Sequence, residues 1–166
     1  MINKILITGI PGSGKTTLAK PLAELLGAIH LSADNIRLLY DDWDFSMEGR
    51  IRQATRMKYL SDGIVFAGKT VVADFVCPTN VLRNFYSPDY IIWMDTIKES
   101  KYADTDEMFE KPIDPDYTVS KWFDDTHQQL LEVIKFYSAK LDDLKNDRVE
   151  GTSLWNLDFK YEKKPT

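Results

Sequence analysis

Short apolar runs alternate along this chain with longer stretches in which leucines recur every three or four positions. The first run, Ile2 to Thr8, is continuously hydrophobic apart from its polar flanks, contains β-branched residues and stops at Gly9, which predicts a buried strand. Lys15 to Leu26 sets Leu18, Leu22, Leu25 and Leu26 at helical spacing, with Gly27 as the stop. Ala28 to Leu31 predicts a second strand, and Ser32 can cap a helix through Tyr40. Ser46 to Ala67 predicts a long helix with Ile51, Ala54, Met57, Tyr59 and Leu60 as inward candidates. Lys69 to Phe75 and Tyr90 to Met94 predict the third and fourth strands.

Beyond Asp95 the pattern loosens. Asp104 to Pro115 is polar, holds two prolines and lacks a clear period, so the stretch 97–115 predicts a mobile loop or lid. Tyr117 to Val119 predicts a short fifth strand, and Trp122 to Leu144 an amphipathic helix built on Leu130, Leu131, Ile134 and Leu141. A terminal strand around Leu154 to Leu157 and a polar tail complete the reading. No repeat, long linker or low-complexity block interrupts it.

Strands alternating with helices predict an α/β fold, a parallel sheet with helices on both faces. Ligands in such folds collect beyond the carboxyl ends of the strands. Gly9, Asp34, Asp74 and Asp95 each stand at or just past a predicted strand end.

Composition narrows the setting. A length of 166 residues predicts one domain spanning 1–166. No run of 18 apolar residues predicts a membrane span, and the start of the chain lacks the pattern of a signal peptide. With Cys77 as the only cysteine, no internal disulfide can form, and a reducing, cytoplasmic setting follows as the default. The net charge of −5 makes a long nucleic acid or an anionic membrane a disfavoured partner. Self-association into a homodimer stays open.

Positive charge is nevertheless concentrated. Arg37, Arg50, Arg52 and Arg56 crowd one stretch, whereas Asp104 to Asp125 is mostly acidic. Only Arg52 and Arg56, four apart, share a helix face. One or two of these arginines are candidates to line an acceptor pocket, and the remainder are expected to pair on the surface with Glu48 and Asp62.

The strongest chemical signal is Gly9-Ile10-Pro11-Gly12-Ser13-Gly14-Lys15-Thr16, set between a predicted buried strand and a predicted helix. Glycines here let backbone N–H groups curl around a phosphate, and the helix aims its N-terminus at the anion. Lys15 is placed to bridge β- and γ-phosphates, the Thr16 hydroxyl to meet Mg²⁺, and Thr17 to make a secondary contact. The motif implies a P-loop NTPase fold of the nucleoside-monophosphate-kinase type, binding ATP with Mg²⁺.

Phosphoryl transfer to a hydroxyl also needs an acceptor held in line and help with its proton. Asp34 is the candidate base or orienting group, and Arg37, one helical turn on, a candidate for a substrate phosphate. Asp74, at the end of the third strand, suits a Walker-B-like role beside Thr16. Trp43, Phe45 and Phe75 are candidates to stack on a base. His30 and His127 have no metal-site spacing.

With these residues in place, the chain resembles adenylylsulfate (APS) kinases, P-loop enzymes that phosphorylate the 3′-hydroxyl of APS to give PAPS. The resemblance runs from Ile5 to about Val119. Its pieces are Gly9–Thr16, Asp34-Asn35-Ile36-Arg37, Asp44-Phe45-Ser46 followed by Arg50 and Arg56, Phe75-Val76-Cys77-Pro78, and Asp95-Thr96. It implies that Asp34 and Arg37 serve the acceptor, Phe45 stacks on the APS adenine and Arg50 faces the phosphosulfate. Gln53 stands where the family usually has Asn. Phe75, Val76 and Cys77 would line the pocket, with Cys77 in place of a serine. Lys101 stands in for a lid arginine that packs on the ATP adenine. Ser32-Ala33 precede Asp34 where the family usually carries Asp-Gly. A second resemblance, through Asp34, Arg37 and Asp74, is to polynucleotide-kinase-like enzymes, with a kinase of a hydroxymethylated base or nucleoside as a related option. A nucleotide-binding protein without transfer chemistry is the remaining alternative.

Overall fold

A computed structural model of the chain describes residues 1–151. In chain order the elements are β1 (Lys4–Thr8), α1 (Lys15–Leu26), β2 (Ile29–Ser32), α2 (Ala33–Tyr40), α3 (Met47–Phe66), β3 (Val71–Asp74), α4 (Asn80–Tyr86), β4 (Tyr90–Met94), α5 (Ala103–Met108), β5 (Tyr117–Val119) and α6 (Thr126–Gly151). The five strands form one parallel sheet in the order β2-β3-β1-β4-β5. Parallel pairing needs crossovers, and the helices between strands provide them.

Side chains alternate across a strand, so β1 feeds two cores. Ile5 and Ile7 pack with Leu18, Leu22, Val72, Ile92, Leu130 and Ile134 on the α1–α6 side. Leu6 points the other way, into Ala54, Met57, Ala73, Leu82 and Tyr86. Every residue of β1 is buried, Lys4 included. Its ammonium reaches Asp62 at 2.6 Å and lies 4.2 Å from the centre of the Tyr86 ring. Burial pulls Lys4 below the usual lysine range, against the opposing hydrogen bond from Asp62.

Five of the helices depart in some respect from the sequence expectation. In α3 the buried stripe is Arg50, Gln53, Ala54, Met57 and Ser61, while Ile51 and Tyr59 are exposed. Ala54 and Met57 lie inward as expected, but toward the N-terminal end of this face Arg50 and Gln53 line a polar cavity, so apolar residues alone do not mark it. The segment Asn80–Tyr86 forms α4, absent from the periodicity because only two turns are present; Thr79 caps it by accepting from the Leu82 N–H at 3.2 Å. The stretch expected as loop carries α5, whose approach is braced by the Ser100 hydroxyl and amide on the Asp106 carboxylate, both at 2.7 Å. Ser32 occupies the N-cap of α2 but makes no side-chain cap bond. α6 begins at Thr126, not Trp122, because the Thr126 hydroxyl accepts from the Phe123 N–H. The strand expected at Leu154 to Leu157 lies outside the described residues.

Gly49 has a specific job in the first turn of α3. A Cβ there would lie 2.2 Å from the Asp44 carbonyl oxygen, which is itself held by Arg37. Alanine normally gains about 1 kcal/mol over glycine in a helix. Here a backbone clash opposes that gain, so Gly49→Ala is expected to destabilise by about 1–3 kcal/mol. Urea unfolding checks the sign: a raised midpoint would show that the 44–49 turn relaxes freely.

Candidate functional site

The β1–α1 connection wraps tightly at the carboxyl edge of the sheet. A side chain at Gly9 would come within 2.8 Å of the Met94 carbonyl, so the loop can pass β4 this closely only with glycine. Gly14, with φ 92°, turns the chain left-handed at the N-cap of α1, and no acidic residue occupies that helix's first turn. The uncompensated N-terminus therefore presents free N–H groups to an anion. Thr96 pins the loop from β4's side by donating to the Ser13 carbonyl at 2.7 Å.

Lys15 folds back over this loop, its ammonium donating to the Ile10 carbonyl at 3.0 Å. Loss of water around it pushes Lys15 down to about 8, against the attraction of Asp74 and Asp34. Thr16 donates to one oxygen of Asp74 at 2.8 Å, and His30 Nε2 lies 2.5 Å from the other. Asp74 is 4% exposed.

A cavity of about 730 Å³ opens over these groups. Pro11, Gly12, Gly14, Lys15, Thr16 and Thr17 line one end, and Asp74 the floor. The other end is built from α2 and α3, through Asp34, Arg37, Trp43, Phe45, Arg50 and Gln53. Phe75, Val76 and Cys77 form a side wall; Tyr102, Asp104 and Thr105 close it from the α5 side.

Each residue at the α2–α3 end of the cavity has a local reason for its pose. Asp34 sits exposed in the first turn of α2, free to face the cavity. Arg37 is buried because one nitrogen donates to the Asp42 and Asp44 carbonyls at 2.9 and 3.0 Å. Its guanidinium also lies 4.4 Å from the centre of the Phe45 ring. Arg50 donates to the Phe45 carbonyl at 2.9 Å and to the Thr105 hydroxyl at 2.7 Å, with the Asp104 carboxylate 3.8 Å away. Gln53 ties α3 to α2 through the Ala33 carbonyl at 2.9 Å.

The side wall depends on Arg83, 2% exposed, which donates to the Cys77 carbonyl at 2.6 Å and also to Asn80 and the Glu110 carbonyl. Cys77 itself has φ 43°, a left-handed conformation in a buried wall. Burial pushes its thiol up to about 12, which leaves it unreactive at neutral pH.

Of the residues singled out from sequence, most therefore meet around one cavity. Gly9 and Ser13 lie behind the loop's inner face and support it without lining the cavity. Lys101 is exposed and outside the lining; its neighbour Tyr102 occupies the wall. Arg52 and Arg56 pair with Asp42 and Asp44, not with Glu48 or Asp62, because the 41–46 turn folds back on α3. Asp62 serves Lys4 and Lys58 instead. Sequence reasoning weighed His30 only as a metal ligand and gave no site role to Arg83, Tyr102, Asp104 or Thr105. Only His30 carried a signal, a titratable residue in an otherwise apolar strand.

Among the described residues no group of three or more His, Cys, Asp or Glu gathers to hold a metal. Thr16 and Asp74 fit a different kind of ion site. A hydroxyl that donates its proton to a carboxylate keeps its lone pairs for a hard cation, and Mg²⁺ retains waters and takes phosphate oxygens for the rest. No helix among the described residues is long and apolar enough to cross a membrane.

In sequence and in fold the chain is similar to known kinases. A probable adenylyl-sulfate kinase of Aeropyrum pernix is 33% identical over 87 residues, a match spanning 47% of this chain and 46% of that protein. A cytidylate kinase of Methanocaldococcus jannaschii is 26% identical over 163 residues, 93% of this chain and 90% of that protein. In fold, the chain is similar to the Mycobacterium tuberculosis APS kinase solved in complex with AMPPNP and APS. That likeness has a TM-score of 0.64 at 18% identity, over 81% of this chain and 98% of the other. The family model described as adenylylsulphate kinase matches residues 2–87, a stretch holding the glycine-rich loop, Asp34, Arg37, Phe45, Arg50, Asp74 and Cys77. With that model covering more than half of its 166 residues, the chain belongs to the adenylylsulphate kinase family.

Proposed function

We propose that the protein is an ATP-dependent phosphotransferase of the APS kinase type, moving the γ-phosphoryl group to the 3′-hydroxyl of APS to give PAPS. The carrying observation is that Lys15 and Asp34, donor-side cation and acceptor-side carboxylate, line the same 730 Å³ cavity, with aromatic and guanidinium groups beyond Asp34.

In this reading the loop from Gly9 to Gly14 and the N-terminus of α1 hold the phosphates, with Pro11, Ser13 and Thr17 shaping that cradle. Lys15 leaves the Ile10 carbonyl for the β- and γ-phosphates. Mg²⁺, when bound, screens charge on the transferring phosphoryl group; Thr16 and Asp74 are the residues that would hold it. Asp34 orients the acceptor hydroxyl and takes its proton as the bond to phosphorus forms. Phe45 offers its ring to the acceptor's base, Arg37 and Arg50 neutralise its anionic groups, and Gln53, Phe75, Val76 and Cys77 shape the walls. Segment 97–115 acts as a short cover over the acceptor side, with Tyr102 closer to the nucleotides than Lys101. The charge on these walls and the small-molecule size of the cavity support a nucleotide acceptor over a long nucleic acid.

Asp104 favours one second reading. Its carboxylate beside Arg50 offsets charge that a phosphosulfate would use, and the match to a cytidylate kinase spans nearly the whole chain. A nucleoside acceptor, which carries no phosphate, fits the first fact, and a nucleoside monophosphate fits the second. ADP release measured with APS, cytidine monophosphate, free nucleosides and 5′-hydroxyl oligonucleotides separates them. Turnover with APS is expected. Turnover confined to cytidine monophosphate or a nucleoside would replace the acceptor, and turnover confined to oligonucleotides would move the protein to the polynucleotide class. Tight ATP binding with no acceptor used would remove the transfer activity altogether.

A further inference from the structure

We propose that His30 is a positioning residue for the metal side of the site: it fixes the Asp74 carboxylate so that Thr16 offers its oxygen to a phosphate-bound cation. The inference rests on the Asp74 role proposed above.

Asp74 is the last residue of β3 and almost fully buried, so its two oxygens depend on protein donors. Each oxygen has one. The Thr16 hydroxyl donates to Oδ1 at 2.8 Å, and His30 Nε2 meets Oδ2 at 2.5 Å. A carboxylate can only accept, so the imidazole must present Nε2–H. The strand register explains the reach: Ser32 pairs with Asp74 and His30 with Val72, which puts His30 diagonally beside the carboxylate on the neighbouring strand.

A carboxylate held at one oxygen can still swing about its terminal torsion, which is broad for aspartate. Held at both, it cannot. The orientation of Oδ1 in turn decides where the Thr16 proton points, and so where the Thr16 lone pairs point. Groups of this kind, bonded to a ligand and not to the ion, commonly change metal affinity by about 10–100-fold when removed. β2 lies at the edge of the sheet, so His30 contributes little to the central core, and its conspicuous contact is this one.

Calorimetry with a non-hydrolysable ATP analogue, with and without Mg²⁺, tests the idea. In His30→Phe the strengthening that Mg²⁺ confers should shrink by about tenfold, while metal-free analogue binding stays close to wild type. His30→Gln, whose amide nitrogen can reach the Nε2 position, should recover most of the loss. His30→Asn, too short to reach, should show the same loss if the phenylalanine variant does not fold. Equal weakening with and without Mg²⁺, no weakening in either, or a glutamine variant no better than asparagine would overturn the role. Asp74→Asn separates the two levels. If it abolishes the Mg²⁺ effect while His30→Phe retains it, only the His30 inference fails; if it leaves the Mg²⁺ effect whole, the Asp74 reading fails and takes this one with it.

Discussion

Replacing Lys15 with alanine is expected to lower turnover by about a thousandfold while far-UV circular dichroism keeps the wild-type spectrum and the unfolding midpoint at neutral pH does not fall. The ammonium lies at the edge of the phosphate cradle and makes one hydrogen bond, to the Ile10 carbonyl. Losing one exchangeable bond costs the fold little. Among the described residues Lys15 is the cation that lines the glycine-loop end, so its loss removes the charge neutralisation that phosphoryl transfer there would need. Retained turnover in this variant, with the fold intact, would place phosphate recognition elsewhere.

The same residue imposes a pH dependence whose sign follows from burial. In the empty site water is displaced from Lys15 and its proton leaves near pH 8, well below the ordinary lysine value of 10.5. Bound phosphates would restore the charge. Between about pH 8 and 10.5 binding must therefore take up a proton, and nucleotide affinity should fall about tenfold per pH unit in that window. Below pH 8 this dependence vanishes. Stability of the free protein runs the other way: the unfolded chain holds the Lys15 proton more tightly, so this residue's penalty on folding eases as pH rises from 8 to 10.5. Calorimetry in buffers of different ionisation enthalpy reads the proton uptake directly, and in Lys15→Ala it should disappear.

The sheet and the glycine-rich loop that lines one end of the cavity were legible because they rest on local signals. Apolar runs ended by Gly9 and Asp95, and leucines at helical spacing over Lys15 to Leu26, each report a single element. The α2–α3 end of the cavity was legible in residue identity but not in geometry. Arg37 and Arg50 look like surface arginines in a polar stretch, and become buried only because carbonyls of the 42–45 turn receive their N–H groups. Ile51 and Tyr59 misled for the converse reason: the hydrophobic periodicity of α3 does not follow a face that lines a polar cavity. His30 meets Asp74 44 residues away and Arg83 meets Glu110 27 residues away, separations that no window of periodicity spans. Such pairings exist only once β2 lies beside β3 and the segment after α5 returns to α4.

Asp34→Asn is expected to cut phosphoryl transfer by about a hundredfold or more while ATP binding holds or tightens slightly. Two carboxylates flank Lys15, and they differ in how they are held. Asp74 is buried between Thr16 and His30 and cannot turn toward an acceptor without breaking both bonds. Asp34 stands exposed at the start of α2, on the same cavity, with Arg37 one turn behind it. Only Asp34 is therefore free to meet a hydroxyl and accept its proton. Asparagine keeps the shape and a hydrogen bond but cannot take that proton, so the loss belongs in the transfer rate. Removing a negative charge near the γ-phosphate also lifts a repulsion from ATP, which is why binding should not weaken. Single-turnover transfer rates set beside analogue affinities separate the two quantities. An equal fall in both would mean that Asp34 organises the nucleotide end, and the proton would then need another acceptor in a cavity whose remaining carboxylate, Asp104, lies across at Arg50.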